Sequence, residues 1–265
     1  MIDGALECHG VVILPPNDVT ATTLLMNRLG YSFDVTMLDP WYNKGFGGIQ
    51  DDYMSFFLDV VAKAGAVSNH VFFWGFPEIV APFVERIPKP LELVCWLTWY
   101  YKNSPSVIRG WRSSQNACLH LARPGAVMFP ERFLNDKQKA LAAKGKLRYM
   151  PGPTSVLDED FPPDVIEQSL LVGFVGKKEQ TGHPSQKPFK VYDRLLQMTV
   201  PDKGILFDPM CGSGTAGSVA QERGFRAVLC DKSEEYTRIV ERRLGVERLE
   251  IGEDIARFLE EYGER

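Results

Sequence analysis

The stretch Ile205-Leu206-Phe207-Asp208-Pro209-Met210-Cys211-Gly212-Ser213-Gly214-Thr215 constrains this chain more than any other. Three apolar residues suited to an interior parallel strand end in an acid, and Pro209 denies that strand a further ladder bond. Gly212 and Gly214 permit positive φ and a close approach of backbone to a ligand. Ser213 or Thr215 is placed to cap a helix that stops at Gly224. The spacing predicts a strand, a turn and a helix that hold a nucleotide-like ligand across a strand's carboxyl end. Strand-to-helix turns need glycines where nothing binds as well, so the loop alone leaves both readings open.

The next apolar run, Ala227 to Cys230, ends at Asp231, 19 residues after Gly212. That is close to the spacing at which a carboxylate meets a ribose diol in a nucleotide-binding βαβ unit. The plainer use of Asp231 is as a turn acid before Ser233. A G-x-G-x-x-G phosphate fingerprint is absent, so a ribose-bearing ligand without an essential pyrophosphate is expected.

An acid at a strand's end occurs a second time. Phe33 to Leu38 forms a mostly apolar strand that delivers Asp39, followed by Pro40, Trp41, Tyr42 and Asn43. Pro40 fixes φ, and Trp41 and Tyr42 offer flat faces for stacking. A buried turn with both rings in the core is the alternative. The glycines of Lys44 to Gly48 predict a pliable loop or lid.

Elsewhere, Val11 to Leu14, Val71 to Trp74, Leu91 to Tyr101 and Ala117 to Leu121 read as strands. Asn17 or Asp18 caps a helix whose buried face carries Leu24, Leu25 and Leu29, and Asp51-Asp52 open another with Met54, Phe57, Leu58 and Val61 inward. A further helix carries Val191, Leu195 and Met198. Strands alternating with helices predict a mainly parallel α/β sheet covered on both faces. From Pro124 to Gly182 periodicity weakens and proline, glycine and charge accumulate, which predicts an insertion. The expected organisation is a first half at 1–123, an insert at 124–182 and a cofactor-binding half at 183–265.

At 265 residues, 45% hydrophobic and 24% charged, the chain has room for one large core. Its net charge of −4 gives no global pull on nucleic acid, so any phosphate-binding surface must be local. Two local surfaces qualify. Between Glu131 and Arg148 of the insert, Lys137, Lys139, Lys144, Lys146 and Arg148, with Arg132, stand against two acids, Glu131 and Asp136, and Arg109-Gly110-Trp111-Arg112 is a basic, aromatic loop. Solvated faces are the alternative for both. Five dispersed cysteines and four scattered histidines suggest neither disulfides nor a metal cluster. With no basic-then-apolar leader and no run long enough to span a bilayer, a cytoplasmic address is expected. Ile251, Ile255, Phe258, Leu259 and Tyr262 form the stripe of a packed terminal helix, with a homodimer contact as the weaker reading.

Asp39-Pro40-Trp41-Tyr42, His183-Pro184-Ser185-Gln186-Lys187-Pro188 and Asp208 to Thr215 together resemble the catalytic, cofactor-flanking and cofactor-loop motifs of S-adenosylmethionine-dependent DNA amino-methyltransferases. Their order, catalytic motif first, is similar to the permuted beta group, whose target-recognition region lies between the two. The resemblance implies a Rossmann-like seven-stranded sheet and double-stranded DNA as partner, with the target base flipped out. It implies S-adenosylmethionine at Asp208, Pro209, Met210, Cys211, Gly212, Ser213, Gly214 and Thr215, its ribose on Asp231, and Lys187 and Ser185 bordering the methionine end. Asp39, Pro40, Trp41 and Tyr42 would be the catalytic set, without metal. Trp41 replaces the usual second proline, and Met210 a common phenylalanine. An aspartate at the motif's head leans towards adenine-N6 over cytosine-N4. Methylation of RNA or a protein amide, and an inactive DNA- or adenosine-binding protein, are the competing readings.

Overall fold

A computed structural model describes residues 2–43, 48–101, 107–108, 110–112, 114–148, 153, 156–157, 171 and 177–262. The strands are β1 (Val11–Ile13), β2 (Phe33–Leu38), β3 (Ser68–Gly75), β4 (Glu92–Tyr100), β5 (Val107–Ile108), β6 (Trp111–Arg112), β7 (Gln115–Ala122), β8 (Val156–Leu157), β9 (Ile205–Asp208) and β10 (Arg226–Leu229). The helices are α1 (Ile2–His9), α2 (Val19–Arg28), α3 (Tyr53–Val67), α4 (Pro77–Val80), α5 (Asp136–Ala143), α6 (Phe189–Thr199), α7 (Thr215–Arg223), α8 (Glu234–Leu244) and α9 (Glu253–Tyr262).

The main sheet runs β1-β10-β9-β2-β3-β7-β4-β8, seven strands with the two-residue β8 added at one edge. All neighbours are parallel except at β7, which is antiparallel to both β3 and β4. The reason is connection length. β4 reaches β7 through a hairpin closed by Tyr101 N–H to Ser114 O at 2.9 Å, and a chain that turns straight back can only pair antiparallel. β9 and β10, from the end of the chain, sit between β1 and β2, from its beginning. Both ends of the sequence therefore build one core.

Alternation along the strands assigns the two faces. Val11 and Ile13 join Val35, Met37, Leu206 and Leu229 under α6, α7 and α8, whereas Val12 and Leu14 join Phe207 and Val228 under α1, α2 and α9. Phe57, Val60, Val61 and Ala64 of α3 cover Val71 and Phe73 of β3. Asp18 caps α2, accepting from Thr20 N–H at 2.7 Å and Ala21 N–H at 3.4 Å, a device that stabilises by about 1 kcal/mol.

Several expectations change. Helix α1 carries too short an apolar pattern to be read ahead, yet Ile2 and Leu6 are buried. In α2 the inward face is Val19, Thr22, Leu25 and Met26, while Leu29 is exposed, because it stands at the C-cap where the helix ends. Met54, Leu58 and Met198 are only partly buried. The stripe of α9 packs on the sheet through Phe258 and Leu259, and Tyr262 is exposed. Among the described residues no helix is long and apolar enough to cross a membrane.

Candidate active site

Because β2 and β9 are parallel neighbours, with Thr36 opposite Phe207, they deliver Asp39 and Asp208 to the same edge of the sheet. The two acids are 169 positions apart in the chain and electrostatically coupled: the Asp39 charge is among the causes that push the Asp208 carboxyl up. Burial is the larger cause. Asp208 is 2% exposed, and the bond it accepts is a long one, 3.3 Å from Met210 N–H.

Lys187 joins the two motifs. Its Nζ donates to Asp39 Oδ2 at 2.6 Å, to Asp39 Oδ1 at 2.7 Å and to the Tyr42 hydroxyl at 2.6 Å. Its own carbonyl accepts from Thr215 Oγ1 at 2.9 Å. The ammonium is buried, 5.2 Å from the centroid of Tyr42 and 5.3 Å from that of Trp74, so ring faces supplement the carboxylate in compensating its charge. The resemblance sets this lysine beside the cofactor; here its side chain is engaged on Asp39 and only its backbone meets the cofactor loop.

The rest of the aspartate motif divides in two. The Tyr42 hydroxyl donates to Asp39 Oδ1 at 3.2 Å and accepts from Asn116 Nδ2 at 3.3 Å, and burial holds its pKa above the usual phenol range. The Tyr192 hydroxyl adds a 3.4 Å contact to Asp39 Oδ2. Trp41 turns the other way, edge-on to Tyr53 at 5.5 Å and Phe57 at 5.6 Å. Tyr53 also donates to the Trp41 carbonyl at 2.8 Å. Trp41 thus braces the turn against α3, the core alternative for this ring, while Tyr42 alone of the two aromatics contacts Asp39. The loop glycines Gly45 and Gly47 lie outside the described residues.

The cofactor loop is held by backbone geometry. Gly212 and Gly214 adopt φ of +49° and +75°, and a Cβ on Gly212 would come within 3.0 Å of His183 Nε2. Neither Ser213 nor Thr215 caps α7: Gly214 is the N-cap and provides no side chain. Instead Arg243, from the last turn of α8, donates to Ser213 O at 3.0 Å and to Thr215 Oγ1 at 3.1 Å, so the two hydroxyl residues are tied outward rather than along the helix. Gly224 does end α7, at φ +69°. Asp231 lies at the end of β10 and accepts Gly212 N–H and Ser233 N–H, each at 2.9 Å. It is both a turn acid and a neighbour of the loop. Pro209 and Cys211 are buried, with the Cys211 thiol pushed up by burial. Ser185 is exposed, its N–H donating to His183 Nδ1 at 3.2 Å.

The sequence marks one residue here only as part of a motif, and two not at all. His183 stacks edge-on to Tyr236 at 4.3 Å, and burial lowers its pKa to about 4. Asn116 and Arg243 arrive from β7 and α8, far from either motif, and nothing local in the sequence marks them.

The basic residues are not brought to this edge together. Lys137, Lys139, Lys144, Lys146 and Arg148 are exposed, on or after α5. The segment leading into α5 docks on the C-terminal half of α6, through Phe129 N–H to Met198 O at 2.8 Å and Arg132 Nη1 to Val200 O at 2.6 Å. That is the sheet edge opposite Asp39, and Arg132, also bonded to Asp202, serves as a helix-end clamp. Arg109 and the side chain of Arg112 lie outside the described residues. Among those described, no group of three or more His, Cys, Asp or Glu could hold a metal ion.

A family model described as DNA methylase, of the N6 and N4 amino-methyltransferase type, matches residues 34–242, which contain all three motifs. The chain belongs to this family. As a DNA amino-methyltransferase it draws its methyl group from S-adenosylmethionine. The loop fits that cofactor: bare backbone at Gly212 and Gly214, both at positive φ, beside the buried Asp208 carboxylate and a second acid at Asp231. The methylase is 22% identical over 239 residues to the type II methyltransferase M.HpaI of Haemophilus parainfluenzae, covering 86% of this chain and 73% of that one. It is also 22% identical over 239 residues to the DNA adenine methyltransferase YhdJ of Escherichia coli, covering 85% and 81%. Its fold is similar to that of M1.HpyAVI, solved with SAM, at a TM-score of 0.67 and 14% identity, covering 89% of this chain and 100% of the other.

Proposed function

We propose that this methylase transfers a methyl group to the N6 amino group of an adenine extruded from duplex DNA, with Asp39 as the residue that receives the amine. The observation carrying the reading is the convergence of Asp39 and the cofactor loop on one sheet edge, joined through the two ends of Lys187.

The exocyclic nitrogen is a poor nucleophile while its lone pair is delocalised into the ring. Acceptors that bond its two hydrogens draw it towards tetrahedral geometry and free the lone pair. The Asp39 carboxylate and the Pro40 carbonyl are those acceptors. A carboxylate offers about four lone-pair sites. Lys187 occupies one on each oxygen at short range, and the Tyr42 and Tyr192 hydroxyls stand at 3.2 and 3.4 Å. The two long contacts are the ones an incoming amine displaces, which leaves the lysine pair intact.

When bound, S-adenosylmethionine supplies a methyl group activated by its sulfonium. Asp208, Gly212 to Thr215 and Asp231 would hold it, and positioning would supply most of the rate. After transfer the nitrogen carries one surplus proton, which leaves to Asp39 or to water. The side chain of Asp39 is only 16% exposed, so a base still stacked in a duplex cannot reach it, and the base must be flipped. Tyr42 then lies against the base.

An aspartate heading the motif and the similarity to an adenine methyltransferase support adenine over cytosine. Sequencing of modified bases in DNA from cells expressing the chain tests this directly. N6-methyladenine in one defined context is expected, lost in Asp39→Ala; N4-methylcytosine instead would move the assignment to cytosine. The exposed lysines of α5 contact DNA backbone in this reading, at a distance from the flipped base.

A further inference from the structure

Two large apolar side chains stand out among the described residues for lying in water: Trp111 at 83% exposure and Ile49 at 79%. Both belong to the catalytic edge. Trp111 opens β6 in the β5–β6 hairpin, paired with Ile108, just after Gly110 at φ +80°. The hairpin grows from the ends of β4 and β7, where Tyr101 N–H bonds Ser114 O, and two residues below Ser114 the side chain of Asn116 meets Tyr42. Ile49 precedes Gln50, whose N–H donates to Asn43 Oδ1 at 2.6 Å and whose carbonyl accepts from Asn43 Nδ2 at 3.1 Å, just past the aspartate motif. The catalytic edge thus carries two exposed apolar projections, each anchored by hydrogen bonds at its base.

We propose that Trp111 is a wedge that enters the base stack of DNA where the target leaves it, with Ile49 as a second apolar contact at the same edge of the sheet. This rests on the flipped-base reading above. Extruding a base opens a gap whose walls are the faces of the neighbouring pairs, and a flat indole is the side chain best matched to refill it. Position supports the assignment as much as exposure does. Val127, also well exposed at 63%, lies at the opposite sheet edge beside His70 and has no part in it. A wedge stabilises the extruded state, so its removal costs rate only where the enzyme must itself unstack the target.

The test uses duplexes built around the sequence found methylated in expressing cells, one with the target normally paired and one with it opposite an abasic site. Single-turnover methyl transfer is measured for the wild type, Trp111→Ala, Trp111→Phe, Ile49→Ala and, as control, Val127→Ala. Trp111→Ala is expected to lose more than tenfold on the paired duplex and to come within threefold of wild type on the abasic one. Trp111→Phe should fall between, Ile49→Ala should repeat the pattern more weakly, and Val127→Ala should change neither. Equal loss on both duplexes, or none on either, overturns the wedge while leaving the function standing. A wild type that methylates neither duplex removes the function and the wedge together.

Discussion

Lys187 Nζ stands 2.6 Å from Asp39 Oδ2, joining a residue near the start of the cofactor half to the acid at the end of β2. The side chains are 3% and 16% exposed, so this is a buried pair, and removing one partner of such a pair leaves a charge without compensation. Lys187→Met is expected to destabilise the fold by roughly 3–5 kcal/mol. Adding Asp39→Asn to it should recover most of the loss, since neither charge then remains. Urea unfolding of the two single variants and the double variant measures the coupling, and a value near zero would dismiss the pair as a structural tie.

Asp231 bonds the Gly212 amide and, in the reading above, the cofactor's ribose. Asp231→Ala should therefore weaken S-adenosylmethionine binding by at least tenfold, about 1.4 kcal/mol, while DNA binding stays within twofold. Calorimetry with the cofactor and anisotropy with a DNA duplex separate the two. Loss of DNA binding alone would remove Asp231 from the cofactor site.

Asp208 is buried, poorly supplied with donors and held above the ordinary carboxylate range by burial. As pH rises past about 4, the unfolded chain releases this proton before the folded one does, so the site subtracts stability with increasing pH until the folded group ionises. Asp208→Asn should raise the melting temperature of the cofactor-free protein at pH 7 by roughly 2–6 °C while lowering turnover. A neutral or lower melting temperature at pH 7 would contradict the sign.

Two buried histidines and a half-buried third act in the other direction. His70 and His120 share a 3.0 Å contact, with burial lowering both and taking His120 to about 3, and His183 is lowered to about 4. Below pH 6.5 the unfolded chain takes up protons that the folded chain refuses, so stability is expected to fall as pH drops from about 6.5 to 4. Up to three protons contribute to the slope. His120→Gln should flatten it, and a melting temperature independent of pH across that window would rule the histidines out.

The strand-end acids, the glycine loop with its stop at Gly224 and the alternation of the sheet were legible in the chain because each depends on neighbours within one turn or one strand. Apolar runs ending at Asp39, Asp208 and Asp231 are local patterns, and parallel packing puts such ends on one edge. The cap of α7 was misread for the same reason. Ser213 and Thr215 have the right chemistry at the right spacing, but a partner 28 positions downstream of Thr215, Arg243, donates to both hydroxyls, at 3.4 and 3.1 Å.

Local pattern also determined the family, since its three motifs are contiguous segments in a fixed order. What only the tertiary structure decided is which groups meet: Lys187 on Asp39, Asn116 on Tyr42, Trp41 turned into α3, and the segment leading into α5 docked at the far edge of the sheet. Those outcomes depend on the order in which β9, β2, β3 and β7 lie side by side, and sheet order is set by long-range packing and loop length. A linear sequence records which residues are adjacent in the chain; the sheet brings residues more than a hundred positions apart within hydrogen-bonding distance.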